Sequence, residues 1–201
     1  MSMGTQHIEA IVAGGSAGAL EALRSIVNAL PAGFPIPIAV VVHVPPHRRS
    51  YLSEVLAARS AVTVKEAEDK EPLAPGTIYL APPNYHLLIE RKRRFSLSVD
   101  DLVHYSRPSI DVLFDSAAWA YGPALAGVLL TGANEDGARG MASIRNAGGT
   151  TIVQAPETAE APTMPEAALR LGPADQVLSP ADIGAFLARL GRSPVTDTEV
   201  Q

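Results

Sequence analysis

Apolar positions along this chain fall into two alternating rhythms. Ile8 to Ala13 is an unbroken strand-like run, and it is followed by Leu20, Leu23, Ile26, Val27 and Leu30, the three-to-four spacing of a helix face. The pair then repeats, with Ile36 to Val44 as a strand and Tyr51, Leu52, Val55 and Leu56 as a helical face. Runs without polar interruption, Ile38-Ala39-Val40-Val41-Val42 and Ala126-Gly127-Val128-Leu129-Leu130, have the pattern of strands covered on both sides. The alternation predicts βαβ units and an α/β fold: a doubly wound, mostly parallel sheet with helices on both faces.

Between Glu71 and Val99 the rhythm changes to short β-like pieces, Thr77 to Ala81, His86 to Glu90 and Phe95 to Val99. Pro82-Pro83-Asn84 and the basic run Arg91-Lys92-Arg93-Arg94 separate them, which predicts a short antiparallel β insertion. Alternation resumes with a helix entered at Pro108 and running towards Tyr121, a strand over 124–130, a helix after Gly137 and a strand from Thr150 to Gln154. Ser179-Pro180-Ala181-Asp182 marks the start of a last helix and Gly191 its end. No composition break falls inside 6–191, read as one domain; the polar stretch 192–201 is expected to be a flexible tail.

Composition narrows the class. At 201 residues, 47% apolar and 18% charged, the chain has enough apolar residues for a substantial core. It has no run of membrane-spanning length and no signal-type N-terminus, so a cytoplasmic protein without membrane insertion is expected. The absence of cysteine removes disulfides, thiolate nucleophiles and Cys-ligated metals. A net charge of −5 argues against nucleic acid as a partner and leaves the run Arg91 to Arg94 as a solvated hairpin tip or, alternatively, a docking patch for an acidic partner.

The candidate chemistry begins at Gly14-Gly15-Ser16-Ala17-Gly18, where an apolar strand breaks into a glycine-flanked serine and then a helix. That is the setting of a nucleophile elbow, with the serine expected in a cramped backbone conformation and free N–H groups beside it for an oxyanion. A dinucleotide or phosphate turn is the alternative, but neither G-x-G-x-x-G nor Gly-Lys-Ser/Thr is present. In an open parallel sheet functional groups gather beyond the carboxyl ends of strands. His43 closes Val40-Val41-Val42, and Asp136 lies in the turn after Val128-Leu129-Leu130, so both are expected on one rim with Ser16. Asp136 has a competing role as cap of the helix that follows it. His43 and His47 are spaced i,i+4, but Pro45-Pro46 interrupts any helix between them, and neither metal nor cofactor is expected.

Seven segments in order resemble the catalytic domain of the chemotaxis-type protein-glutamate methylesterases, the CheB family. They are Gly14 to Gly18, His43 to Pro46, Val64 to Asp69, Tyr79 to Pro83, Arg107 to Phe114, Leu130 to Gly132 with Asp136-Gly137-Ala138, and Met164 to Ala167. The resemblance covers nearly the whole chain. It implies Ser16 as nucleophile, His43 as general base and then acid, and Asp136 orienting the imidazole. It further implies hydrolysis of γ-glutamyl methyl esters on cytoplasmic chemoreceptor helices or a related signalling protein, with glutamine deamidation as a second activity in some members.

Departures from the family pattern cluster at the proposed site: Ala17, Ala19, Val42, Ala133-Asn134 and Thr163 stand where Thr, Gly, Gln, Met-Gly and Gly are usual. Main-chain N–H groups do not depend on side chains, so oxyanion and substrate contacts are expected from Ala17, Gly18 and Ala133. An esterase or deamidase acting on another cytoplasmic substrate, and an inert interaction module of the same fold, are the alternatives. The family often carries a receiver domain ahead of the catalytic one; with a strand beginning within ten residues of Met1, none is expected here.

Overall fold

The computed structural model describes residues 7–43 and 51–192. Seven strands form one sheet: β1 (Ala10–Gly15), β2 (Ile38–Val42), β3 (Thr63–Glu66), β4 (Thr77–Leu80), β7 (Leu125–Leu129), β8 (Thr150–Gln154) and β9 (Gln176–Leu178). Their order is β3-β4-β2-β1-β7-β8-β9, and every neighbouring pair is parallel. Two further strands, β5 (His86–Ile89) and β6 (Phe95–Ser98), pair as a separate antiparallel hairpin.

Among the described residues, six helices cover the sheet: α1 (Ala19–Ala29), α2 (Leu52–Ala57), α3 (Ile110–Tyr121), α4 (Ala138–Asn146), α5 (Thr163–Arg170) and α6 (Pro180–Leu190). The uninterrupted apolar strands explain the two-sided cover, because successive side chains point to opposite faces. Ile11 and Ala13 of β1 join a core with Leu23 and Ile26 of α1 and Ile183 and Leu187 of α6. Val12, between them, faces a second core built from Leu113 and Phe114 of α3, Met141 of α4, Met164 of α5 and Leu87 and Phe95 of the hairpin. The fold is the α/β architecture that the apolar rhythm predicts.

The antiparallel insertion is smaller than expected. Thr77 to Leu80 belongs to the parallel sheet, between β3 and β2, and only the two later pieces form the hairpin. Local pattern does not encode which strand lies alongside, and the brief Pro82-Pro83-Asn84 turn made three pieces look like one unit. β3, on the sheet edge with no residue fully buried, and the three-residue β9 carry too little apolar signal to be read as strands.

The basic run forms the exposed β5–β6 turn, yet it lies against the protein. The Arg91 guanidinium sits 4.2 Å from the Trp119 ring centre and that of Arg93 5.0 Å from Tyr121, while Arg93 also pairs with Glu9. The last helix begins as its sequence indicates, Ser179 Oγ accepting from the Asp182 N–H at 3.3 Å. Of the expected tail, only Arg192 lies within the described residues.

Candidate active site

The sheet reverses its winding at β1, which has β2 on one side and β7 on the other. At such a switch point the loops leave in opposite directions and open a crevice beyond the strand ends. Ser16 directly follows β1, His43 follows β2, and Asp136 lies in the loop between β7 and α4.

Backbone pairing fixes the first two side by side. Gly15 is in register with Val42, and the His43 N–H donates to Gly15 O at 3.2 Å, so Ser16 and His43 stand at one level on neighbouring chains. Strands so paired lie about 4.8 Å apart. On the other side the Ser16 N–H donates to Thr131 O at 2.9 Å. A Cβ on Gly132 would come within 3.1 Å of Ser16 Cβ and 2.4 Å of Met164 Cε, so glycine is what lets this loop close over the serine. The Ser16 hydroxyl has no hydrogen bond to another described residue, whereas His43 is tied elsewhere.

Ser16 does not have a positive φ; the left-handed conformation of this turn falls two residues later, on Gly18, with φ 77°. The sharp turn is absorbed where no Cβ opposes it. Ala17, exposed, and Gly18 end the turn at the N-terminus of α1, and Ala133 is exposed in the loop after β7. Among the described residues none of the N–H groups of Ala17, Gly18 and Ala133 is engaged in a backbone hydrogen bond.

His43 Nε2 lies 2.8 Å from Asp136 Oδ2. A carboxylate can only accept, so Nε2 carries the proton in this pair and Nδ1 is the nitrogen left to accept another. Asp136 is fully buried and saturated: Oδ1 accepts from Ser109 Oγ at 2.9 Å and from the Asp111 N–H at 3.0 Å, Oδ2 from His43 and from the Ile110 N–H at 2.7 Å. Burial pushes its carboxyl up, but the His43 hydrogen bond, the Asp111 and Ile110 N–H groups and the His43 charge outweigh burial and hold it below the usual range.

These bonds correct the expected capping role. Asp136 does not cap the helix that follows it, whose N-cap is Gly137; it caps α3, from outside. The exchange is mutual, since Asp111, in the first turn of α3, accepts from the Gly137 N–H at 3.0 Å and the Gly140 N–H at 2.7 Å at the start of α4. Each aspartate sits at the positive end of the other's helix. His104 Nε2 reaches Asp111 Oδ2 at 3.2 Å.

His104, Asp111 and Asp136 place ligand-type atoms within 4.8 Å of one another, a spacing suited to a cation. All four carboxylate oxygens are already used by N–H or O–H donors, which is the chemistry of capping. His86, buried in β5, accepts the Ser109 N–H at Nδ1 and therefore donates from Nε2 to Asp101 O, supporting the entry to α3. His47 and Pro45-Pro46 lie outside the described residues.

Several residues around the site were not singled out by sequence reasoning. Thr131 Oγ1 donates to Ala17 O at 2.9 Å and accepts from the Ala161 N–H, joining the serine turn to the loop before α5. Gln154 Oε1 accepts the Thr131 N–H. Glu160 rests against Gly18, where an added Cβ would meet the Glu160 Cβ at 2.6 Å. Their only sequence signal is polarity at or just beyond strand ends.

Residues 11–187 match the sequence model of the CheB methylesterase family. The chain belongs to the CheB methylesterase family. A Leptospira interrogans relative is 45% identical over 187 residues, covering 93% of this chain and 97% of its own, and carries the name protein-glutamate methylesterase/protein-glutamine glutaminase provisionally. The Archaeoglobus fulgidus protein of that name is 41% identical over 165 residues, 81% of this chain and 47% of its own length. Myxococcus xanthus protein-glutamate methylesterase FrzG is 38% identical over 172 residues, 86% of this chain and 52% of its own. The chain thus spans about half the length of these last two CheB relatives.

The crystal structure of the Thermotoga maritima CheB methylesterase catalytic domain superposes with a TM-score of 0.87 at 36% identity, covering 91% of this chain and 98% of that one. The shared fold and family make this chain a carboxylic ester hydrolase of the CheB type. Among the described residues no helix is long and apolar enough to cross a membrane.

Proposed function

We propose that this chain hydrolyses γ-glutamyl methyl esters on the cytoplasmic helices of chemoreceptors or of a related signalling protein, through Ser16, His43 and Asp136. The observation that carries the reading is the alignment of Ser16 and His43 on adjacent strand ends, with His43 Nε2 on the buried Asp136 carboxylate. Ser16 Oγ attacks the ester carbonyl while its proton passes to His43 Nδ1. The oxyanion takes hydrogen bonds from the N–H groups of Ala17, Gly18 and Ala133. As the tetrahedral intermediate collapses, the carbon–oxygen bond to methoxide breaks, and the His43 proton leaves with it as methanol. Water, deprotonated by His43, then attacks the acyl-serine, and the returning proton restores Ser16 as the glutamate is released.

Asp136 remains ionised throughout, held below its ordinary range, and stabilises the imidazolium. Glutamine deamidation is the same sequence with ammonia leaving, in keeping with the double name of the relatives. Ala17 and Ala133 offer main-chain donors alone, so no polar side chain at either position contributes to substrate binding. The test is methanol release from a methyl-esterified receptor cytoplasmic fragment. Release that disappears in Ser16→Ala and in His43→Ala supports the reading. Wild-type rates in either variant, or hydrolysis only of unrelated small esters, overturn it.

A further inference from the structure

Asp136 does not hold its own position. Its carboxylate is oriented by donors on α3, and the peptide that follows it is oriented by a carboxylate on α3. Asp111 supplies both halves: its N–H donates to Asp136 Oδ1 at 3.0 Å, and its Oδ1 accepts the Gly137 N–H at 3.0 Å. Residues 111, 136 and 137 thereby close a ring of bonds, extended into α4 by the Gly140 N–H. Asp111 is itself buried, 3% exposed. Its second oxygen is taken by His104, which sits in a tight turn closed by the Val103 and Ser106 backbones. His104 and the fully exposed Tyr105 both have positive φ there, 50° and 57°. Left-handed backbone at two successive residues with side chains is costly and persists where surrounding bonds demand it. The paired Val103 and Ser106 backbone bonds close this turn, and the His104–Asp111 bond ties it to α3.

We propose that Asp111 is a positioning residue for the hydrolytic reaction: its two-way bonding to Asp136 and Gly137 fixes the direction in which Asp136 Oδ2 meets His43, and His104 holds Asp111 in turn. The inference rests on the Ser16, His43 and Asp136 reading above. A helix cap alone would contribute to stability and leave the reacting geometry unmoved. A positioning residue changes turnover, because small misplacements of reacting groups cost rate out of proportion to stability.

The experiment compares Asp111→Ala, Asp111→Asn and His104→Ala in the full chain by three measurements: kcat and KM on a methyl-esterified receptor fragment, the downfield proton resonance of the His43–Asp136 bond, and thermal unfolding. Asp111→Ala is expected to lower kcat about 10- to 100-fold with KM nearly unchanged, and to shift or broaden the resonance. Asp111→Asn keeps an amide oxygen for the two glycine N–H groups and is expected to recover most of the loss, with His104→Ala falling between.

Wild-type kcat in Asp111→Ala overturns the proposal, as does a fall in kcat with the resonance unmoved. Should Asp111→Ala fail to fold, the other two variants decide: a lowered kcat with a shifted resonance in His104→Ala supports it, and wild-type values for both variants overturn it. The resonance does not depend on turnover. Failure of the nucleophile assignment, seen as full activity in Ser16→Ala, is therefore distinguishable from failure of this one.

Discussion

Two histidine–aspartate pairs meet where the N-termini of α3 and α4 face each other. His43–Asp136 and His104–Asp111 use the same ring nitrogen, bury the same kind of carboxylate and cap helices in the same crossed manner. They differ in what stands beside the histidine. His43 ends a parallel strand and is aligned with Ser16, whereas His104 belongs to a turn between the β6 hairpin strand and α3. They also differ in charge. Asp136 accepts four donors and is held below its usual range, while burial pushes Asp111 up, the Gly140 N–H opposing, the Asp136 carboxylate adding to the rise and the His104 charge opposing. A histidine–aspartate pair by itself does not tell the two apart; adjacency to a strand-end hydroxyl does, and the proposed mechanism draws on that adjacency.

The sharpest break in this symmetry is expected in turnover. Ser16→Ala and His43→Ala should each lower methanol release roughly 1,000-fold or more with unfolding curves unchanged. Next comes Asp136→Ala, expected to match that loss and also to destabilise the fold by on the order of 3 kcal/mol. It leaves the Ser109 hydroxyl and the Ile110 and Asp111 N–H groups buried without an acceptor. Urea unfolding separates it from His43→Ala, which removes no cap.

A smaller effect distinguishes the two carboxylates in acid. The folded-state shift of Asp136 is downward, so its stabilisation is complete above the ordinary aspartate range near 3.9 and disappears as pH falls through the folded value. Asp111 is shifted upward, so it costs stability above its folded value, and that cost is relieved as pH falls towards the ordinary range. Urea unfolding against pH should show a weaker acid-induced loss in Asp136→Asn and a steeper one in Asp111→Asn than in the wild type. The smallest effect belongs to the hairpin turn: Arg91→Ala removes the contact with Trp119 and should cost about 0.5 kcal/mol in urea unfolding, with turnover unchanged.

Much of this was legible along the chain. Continuous apolar runs mark β1, β2 and β7 with cover on both faces, and the strand ends mark Ser16, His43 and Asp136 as candidates. What the pattern misassigned was pairing. Thr77 to Leu80 reads the same in a parallel sheet as in a hairpin, because alternation of side chains reports burial and is silent on the neighbour's direction. The competing role expected of Asp136, as cap of its own helix, is the common local arrangement; the cap it makes is instead 26 residues away in sequence at Ile110.

By itself, then, the sequence determined the α/β class, the position of each strand end and the residue types available there, since hydrophobic period and glycine placement act over a few residues. Tertiary structure alone decided which carboxylate serves which helix, which nitrogen of His43 meets Asp136, and that Asp111 braces the loop carrying Asp136. Those bonds join segments separated by tens of residues, and their partners are chosen by how α3 and α4 dock on the sheet rather than by anything in the local chain.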